Sequence, residues 1–277
     1  MPDLQSILSL VPAFAVVLAR LTGLFLFSPL LSSTMMPRRF KAMLVLVLAF
    51  CVFPIVGADR WEPIPLEFTV LGPMVAMELL IGVAIGIIML TPLWGVQLAG
   101  TFMGQQMGLS LAPIYNPATD IEGDTLGQLL FLMALSLFIV LGGVEAMWDG
   151  VVRSFSLVAP GAFRADDTLL RTLAGMLASG FHLAMRVSMP VMAIVLVETV
   201  AVGFITKTLP TLNIMSFGFP VRILLGFAVL AAAMAGVHGA IAADTSGTME
   251  ALQGWIDTLG PEAAPDHASA HLPPGGR

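Results

Sequence analysis

Two glutamates lie inside long apolar stretches of the sequence, where an ionised side chain is costly. Glu78 belongs to the run MELLIGVAIG, and Glu198 belongs to the apolar region of residues 167–208. At the centre of a membrane helix an acid costs about 2.5–3.5 kcal/mol, while each Leu, Ile, Phe or Val around it favours insertion by about 0.3–0.6 kcal/mol. Intramembrane acids form proton relays, substrate sites or paired contacts. We interpret both glutamates as paired contacts between helices, with a substrate site as the alternative.

The sequence carries no recognisable catalytic or metal-binding motif. It has no Gly-x-Ser-x-Gly elbow, no Walker-type phosphate loop and a single cysteine, Cys51. His267 and His271 are four residues apart, but they lie in a terminal segment rich in Pro, Ala and Gly. We therefore predict no enzyme, no catalytic residue, no metal site and no cofactor.

The composition is that of an integral membrane protein. Apolar residues make up 57% of the chain and charged residues 11%, and the mean hydropathy is +0.94. A soluble domain carries roughly 25% charged residues. The formal net charge of −6 argues against nucleic acid as a partner, because phosphate backbones are bound by basic surfaces. Membrane lipid is the expected surroundings.

The apolar segments predict an all-α, polytopic membrane fold of helical hairpins. About 20 apolar residues suffice to span a hydrocarbon core. We expect one helical domain over residues 1–258, a C-terminal hairpin over 167–243 and a disordered tail over 259–277. The six predicted helical segments are residues 4–31, 42–57, 68–92, 125–153, 167–208 and 220–243. Within the fourth segment, residues 125–153, Asp149 and Arg153 are spaced for an ion pair.

Glycines repeat every four residues in two places. Gly82 and Gly86 form one ladder, and Gly100, Gly104 and Gly108 form the other. Four residues are close to one helical turn, so each ladder presents a flat stripe on which another helix can approach closely. We expect these glycines to make contacts between helices; the alternative is the general frequency of glycine in membrane helices.

The helical pattern fails just after the second glycine ladder. Pro113 and Pro117 each remove a backbone donor and disfavour helix in the preceding residue. Irregular backbone at membrane depth must be buried in protein or line a watery cavity. Residues 105–124 are therefore predicted to line a cavity or a pore.

Several strings, taken together, resemble the FliR family of the flagellar export apparatus, whose relatives serve virulence type III secretion. The strings are PRR at 37–39, ELLIG at 78–82, NP at 116–117, LGQLL at 126–130, GG at 142–143, SF at 154–155, VSMPV at 187–191 and TLPTLNIMSFGFPVRILLG at 208–226. The chain departs from the family at Val144 and Glu145, where a His usually follows the GG pair, and at Thr211, where Gln is common.

The resemblance implies a core subunit of a helical export gate in the bacterial inner membrane, within the flagellar basal body. Such subunits assemble with FliP-like and FliQ-like subunits, adjoin an FlhB-like protein and pass unfolded export substrates. A subunit of a virulence secretion gate is one alternative. A secondary transporter, suggested by the buried acids and the proline-broken segment, is the other.

By the same resemblance, a loop of this subunit closes the resting channel, and that role falls on residues 105–124. Met103 and Met107 are flexible and polarizable, which suits a deformable seal; ordinary core packing is the alternative. Lys207 and Arg222 are expected to form a charged collar at the channel entrance, or else to act as interfacial anchors. The remaining residues expected to hold the loop shut are Gln105, Gln106, Tyr115, Asn116 and Pro117.

Overall fold

The structure, a computed structural model, describes residues 4–29, 37–57, 61, 64–65, 67–109, 124–163, 167–208 and 214–259. These residues form seven α-helices and no strand, which confirms the predicted all-α fold. The helices are α1 (Leu4–Phe27), α2 (Arg38–Val56), α3 (Phe68–Met107), α4 (Thr125–Val140), α5 (Gly143–Leu157), α6 (Asp167–Thr208) and α7 (Ile214–Thr258).

Helix α3 is the centre of the fold. It packs against α1, α4, α6 and α7, and its buried residues form a broad face along its middle and a narrower one at its carboxyl-terminal end. The helix has 40 residues and is therefore about 60 Å long. The predicted end at residue 92 is wrong, because Pro92 is accommodated inside the helix. A proline removes one helical hydrogen bond, and here Pro92 and both of its neighbours, Thr91 and Leu93, are buried in the packed middle of the helix.

The predicted helix of residues 125–153 is two helices. Helices α4 and α5 meet at an angle of 63°. Gly142, between them, has a φ of +81°, a left-handed conformation that side chains disfavour. The ring of Phe138 packs over Gly143, where an added Cβ would lie 2.5 Å from the ring. The two adjacent glycines thus permit the bend.

Helices α6 and α7 pack against each other as a long hairpin. Helix α7 continues to Thr258, beyond the predicted end at residue 243, and its last turns pack on α5. Arg153 of α5 pairs with Asp257 of α7 at 2.9 Å. The predicted Asp149–Arg153 pair is wrong, because the end of α7 provides this closer partner.

Five of the described helices are long and apolar enough to cross a membrane, and α4 with α5 would make a sixth if the bent pair is one span. The chain is therefore a multi-pass membrane protein by the length and composition of its helices. Burial differs sharply among them. In α1 and α3, at least half of the most apolar stretch of the helix is buried. In α2 and α6 only 17% of that stretch is buried, and in α7 only 22%. The predicted disordered tail lies outside the described residues apart from Leu259.

Candidate functional site

The carboxyl-terminal end of α3 holds most of the residues that the sequence singled out. Met103 and Met107 are completely buried, whereas Gln105 and Gln106 lie on the exposed side of the same turns. Gly108 ends the helix in a left-handed conformation with a φ of +82°, and its N–H donates to the Gln105 carbonyl at 3.0 Å. This end of α3 therefore has one face packed in the core and one polar face.

The first glycine ladder faces α1. A Cβ added to Gly82 would overlap the Arg20 carbonyl oxygen and lie 2.8 Å from the Leu24 nitrogen. A Cβ added to Gly86 would lie 3.0 Å from the Leu24 carbonyl oxygen and 3.1 Å from the Phe27 Cβ. Gly23 of α1 meets α3 in the same way, against Leu79 and Val83. Helices α1 and α3 are thus in backbone contact along this stripe.

The second ladder is in backbone contact with α4 at its first position only. A Cβ on Gly100 would lie 2.5 Å from the Gly127 Cα, so these backbones touch. A Cβ on Gly104 would meet the Leu126 Cβ at an ordinary 3.7 Å. Gly108 is the helix cap rather than a packing residue. The three positions therefore have three different environments.

Asp124 connects the start of α4 to α3. Its Oδ1 accepts a hydrogen bond from the Gly127 N–H at 3.1 Å, which caps α4, and its Oδ2 accepts from the Thr101 hydroxyl at 2.8 Å. An N-cap aspartate satisfies a free backbone donor at the helix start. Thr101 was not singled out from the sequence, because its partner is 23 residues away and no local pattern relates them.

Met107 connects α3 to the last helix. A Cβ on Gly226 of α7 would lie 2.7 Å from the Met107 Sδ and Cε, so the thioether fills the space that the glycine leaves. Methionine is well suited to fill such a gap. Tyr115, Asn116 and Pro117, together with the rest of residues 110–123, lie outside the described residues.

Glu78 pairs with an arginine of α1, inside the protein. The Arg20 Nε donates to the Glu78 Oε2 at 2.7 Å, and Nη2 lies 2.5 Å from the same oxygen. Both side chains have an exposed fraction of 0%. The apolar surroundings of Glu78 predict a paired contact between helices, and its partner is Arg20 of the same chain. The signal available was that Arg20 is the one charged residue of an apolar helix.

Glu198 pairs with Arg222 between α6 and α7. The Arg222 Nε donates to the Glu198 Oε2 at 3.0 Å, and its Nη2 donates to the Thr199 hydroxyl at 3.0 Å. Glu198 is 5% exposed, and Arg222 is half-buried. The structure thus brings together two residues that the sequence analysis assigned to different sites. Lys207 lies exposed in the last turn of α6.

Ion pairs and hydrogen bonds therefore dominate the polar chemistry of these helices. Over the described ranges, no group of three or more His, Cys, Asp or Glu side chains could hold a metal ion. The arrangement can position helices precisely against one another. This is a property of a structural element.

Comparison with known proteins gives a consistent result. The family model described as "Bacterial export proteins, family 1" matches residues 11–246. The chain is 27% identical to the flagellar biosynthetic protein FliR of Bacillus subtilis over 93% of this chain and 99% of that relative. It is 28% identical to FliR of Escherichia coli over 78% of this chain and 82% of the relative. The secretion system apparatus protein SsaT of Salmonella typhimurium is 26% identical over 77% and 83%.

Proposed function

Since this chain belongs to the bacterial export proteins, family 1, we propose that it is a core subunit of a type III protein export gate. The match to residues 11–246, from α1 well into α7, carries the proposal, because it spans the helical unit rather than a single motif. The similarity to FliR of Bacillus subtilis and of Escherichia coli confirms the resemblance to the FliR family. The flagellar form of the gate is preferred, since the FliR relative of Bacillus subtilis is covered over 99% of its length.

In this proposal the chain does not work alone. It forms, with FliP-like and FliQ-like subunits and next to an FlhB-like protein, the channel through which unfolded flagellar proteins cross the bacterial inner membrane. The apolar surfaces of α2, α6 and α7 support this. Exposed side chains such as Phe50, Val197 and Phe204 need lipid or other apolar helices around them, because contiguous apolar surface is unfavourable in water.

The segment of residues 105–124 is proposed to close the resting channel. Both of its ends are attached to the helical body: Gly108 caps α3, and Asp124 bonds to Thr101 and caps α4. Met103 and Met107, buried at the base of the segment, would form the apolar seal. Gln105, Gln106, Tyr115, Asn116 and Pro117 are proposed to hold the segment shut by contacts that a passing chain replaces.

Lys207 and Arg222 are proposed to form the entrance collar. Arg222, in the third turn of α7, is held by Glu198 of α6, and the exposed side chain of Lys207 lies nine residues further along α6, in its last turn. The pairing of Glu78 and Glu198 with arginines of the same chain counts against a transporter site, since neither carboxylate is left without a cationic partner.

Native mass spectrometry of the tagged chain, expressed alone and then with FliP-like and FliQ-like partners, tests the proposal. We expect a discrete hetero-oligomer that contains this chain and that forms only with the partners. A stable species that forms alone and ignores them would contradict the assembly. Motility restored to a flagellated strain that lacks its own FliR would support the flagellar form. Restored secretion in a strain that lacks SsaT, without motility, would support the virulence form.

A further inference from the structure

The Arg20–Glu78 pair belongs to a larger buried network. The Arg20 Nη1 donates to the Ser154 hydroxyl of α5 at 2.9 Å, and the Arg20 Cζ lies 3.9 Å from the centre of the Phe155 ring. On the other side, the Gly161 N–H donates to the Glu78 Oε1 at 3.3 Å. One ion pair therefore contacts α1, α3, α5 and the connector of residues 158–163, which leads from α5 towards α6.

The contacts use the shape of both charged groups. A planar guanidinium offers several donors in a fixed fork and can also stack on an aromatic ring. Arg20 directs its Nε to Glu78, its Nη1 to Ser154 and its face to Phe155, and Glu78 uses its second oxygen for the Gly161 backbone. A lysine could supply the charge but could not make these contacts at once.

The network reaches the end of the described chain through α5. A Cβ on Gly150 would lie 3.1 Å from side-chain carbons of both Leu252 and Ile256 in α7, and Arg153 pairs with Asp257. The position of α5 thus determines where the last turns of α7 can pack. The first helix is linked in this way to the last one.

We propose that Arg20 and Glu78 are positioning residues, which fix α5 and the connector of residues 158–163 against α1 and α3. A buried ion pair loses so much hydration that apolar residues of similar volume can replace it with little effect on stability. An apolar pair makes no directional hydrogen bonds: it offers no acceptor to the Gly161 N–H and no donor to the Ser154 hydroxyl. The pair therefore determines where α5 and the connector lie, more than whether the chain folds. This holds whether or not the chain forms an export gate.

Cysteine labelling in native membranes tests the proposal. In the full chain with Cys51 replaced by alanine, Val158→Cys introduces a thiol at a buried connector position, 4% exposed. We expect a membrane-permeant maleimide to label it about tenfold faster when Arg20→Met and Glu78→Met are combined, because a connector without its backbone hydrogen bond opens more often. Labelling of Ala162→Cys, at an exposed connector position, sets the upper reference rate. Val195→Cys, buried in α6 at 1% exposure, is the control that should not change.

The single variants separate positioning from stability. Arg20→Met or Glu78→Met alone leaves an unpaired buried charge, so the amount of protein in the membrane should fall about tenfold, and the double variant should restore it. Arg20→Lys should accumulate normally, and the thiol introduced by Val158→Cys should then be labelled at an intermediate rate. If the double variant accumulated in the membrane to no higher level than the single variants, the proposal would be overturned, since the charges themselves would then be needed for folding. Unchanged protection of the connector thiol in the double variant would overturn it as well.

Discussion

Replacing Gly82 by alanine should separate α1 from α3. The new Cβ would overlap the Arg20 carbonyl oxygen, and its next neighbours, the Leu24 nitrogen and the Arg20 carbonyl carbon, would lie at 2.8 and 2.9 Å. All three atoms are helix backbone, which cannot rotate away as the end of a side chain can. The whole of α1 must therefore move.

The size of the movement sets the magnitude of the effect. The Leu24 nitrogen must move by about 0.6 Å to reach the 3.4 Å at which ordinary contact begins, and the Arg20 oxygen must move further. Overpacking of this kind costs typically 1–3 kcal/mol, and alanine recovers about 1 kcal/mol through its better helix propensity. Because Arg20 lies at the contact, the shift also disturbs its pair with Glu78. The first two terms leave a net loss of up to about 2 kcal/mol in the free energy of unfolding, and the disturbed ion pair adds to that loss.

Gly175→Ala is the matched control. Gly175 also lies inside a long helix, α6, but nothing stands within 4 Å of an added Cβ. In thermal unfolding of the tagged, detergent-solubilised chain, followed by size exclusion, Gly82→Ala should lower the midpoint by about 5–10 °C. Gly175→Ala should leave it unchanged or raise it slightly. Equal midpoints for the two variants would refute the backbone contact between α1 and α3.

Two further predictions concern the proposed gate. Deleting residues 112–116 should make the assembled gate leak ions, and unchanged conductance across the membrane would contradict a closing role for the segment. Reversing Lys207 and Arg222 together to glutamate should reduce export of a reporter substrate severalfold, partly because Arg222→Glu places a like charge beside the buried Glu198. Lys207→Glu alone leaves that pair intact, so normal export in this variant together with loss in the double variant would assign the effect to the Glu198 pair and not to a collar.

The helices themselves could be predicted because their signal is local. Runs of 20 or more apolar residues specify a membrane helix without reference to any partner. Helix ends could be predicted less well, because a proline in the sequence does not show whether the helix ends there or continues through it. Pro92 is buried in mid-helix. The bend at Gly142 depends on a positive φ, which a pair of glycines permits but does not require.

The polar partners could not be predicted, because they lie far apart in the chain. Arg20 and Glu78 are separated by 58 residues, and Arg20 and Ser154 by 134. The sequence showed that a charge inside an apolar helix needs a partner, but several partners were available. Arg153 shows the consequence: its nearest acid in the helix sequence is Asp149, yet Asp257 of α7 binds it. Only the packing of α5 on α7 decides between the two.

The buried charges and the exposed apolar residues lead to a common conclusion. Glu78 and Glu198, the glutamates most expensive to bury, are each paired with an arginine of this chain. The apolar side chains are not all covered within the chain. The most apolar stretches of α2, α6 and α7 are mostly exposed, whereas half or more of those of α1 and α3 is buried. A membrane surrounds apolar helices but offers nothing to an unpaired charge. This chain therefore pairs its two buried glutamates internally and leaves apolar helices outermost, where lipid or apolar partners can cover them.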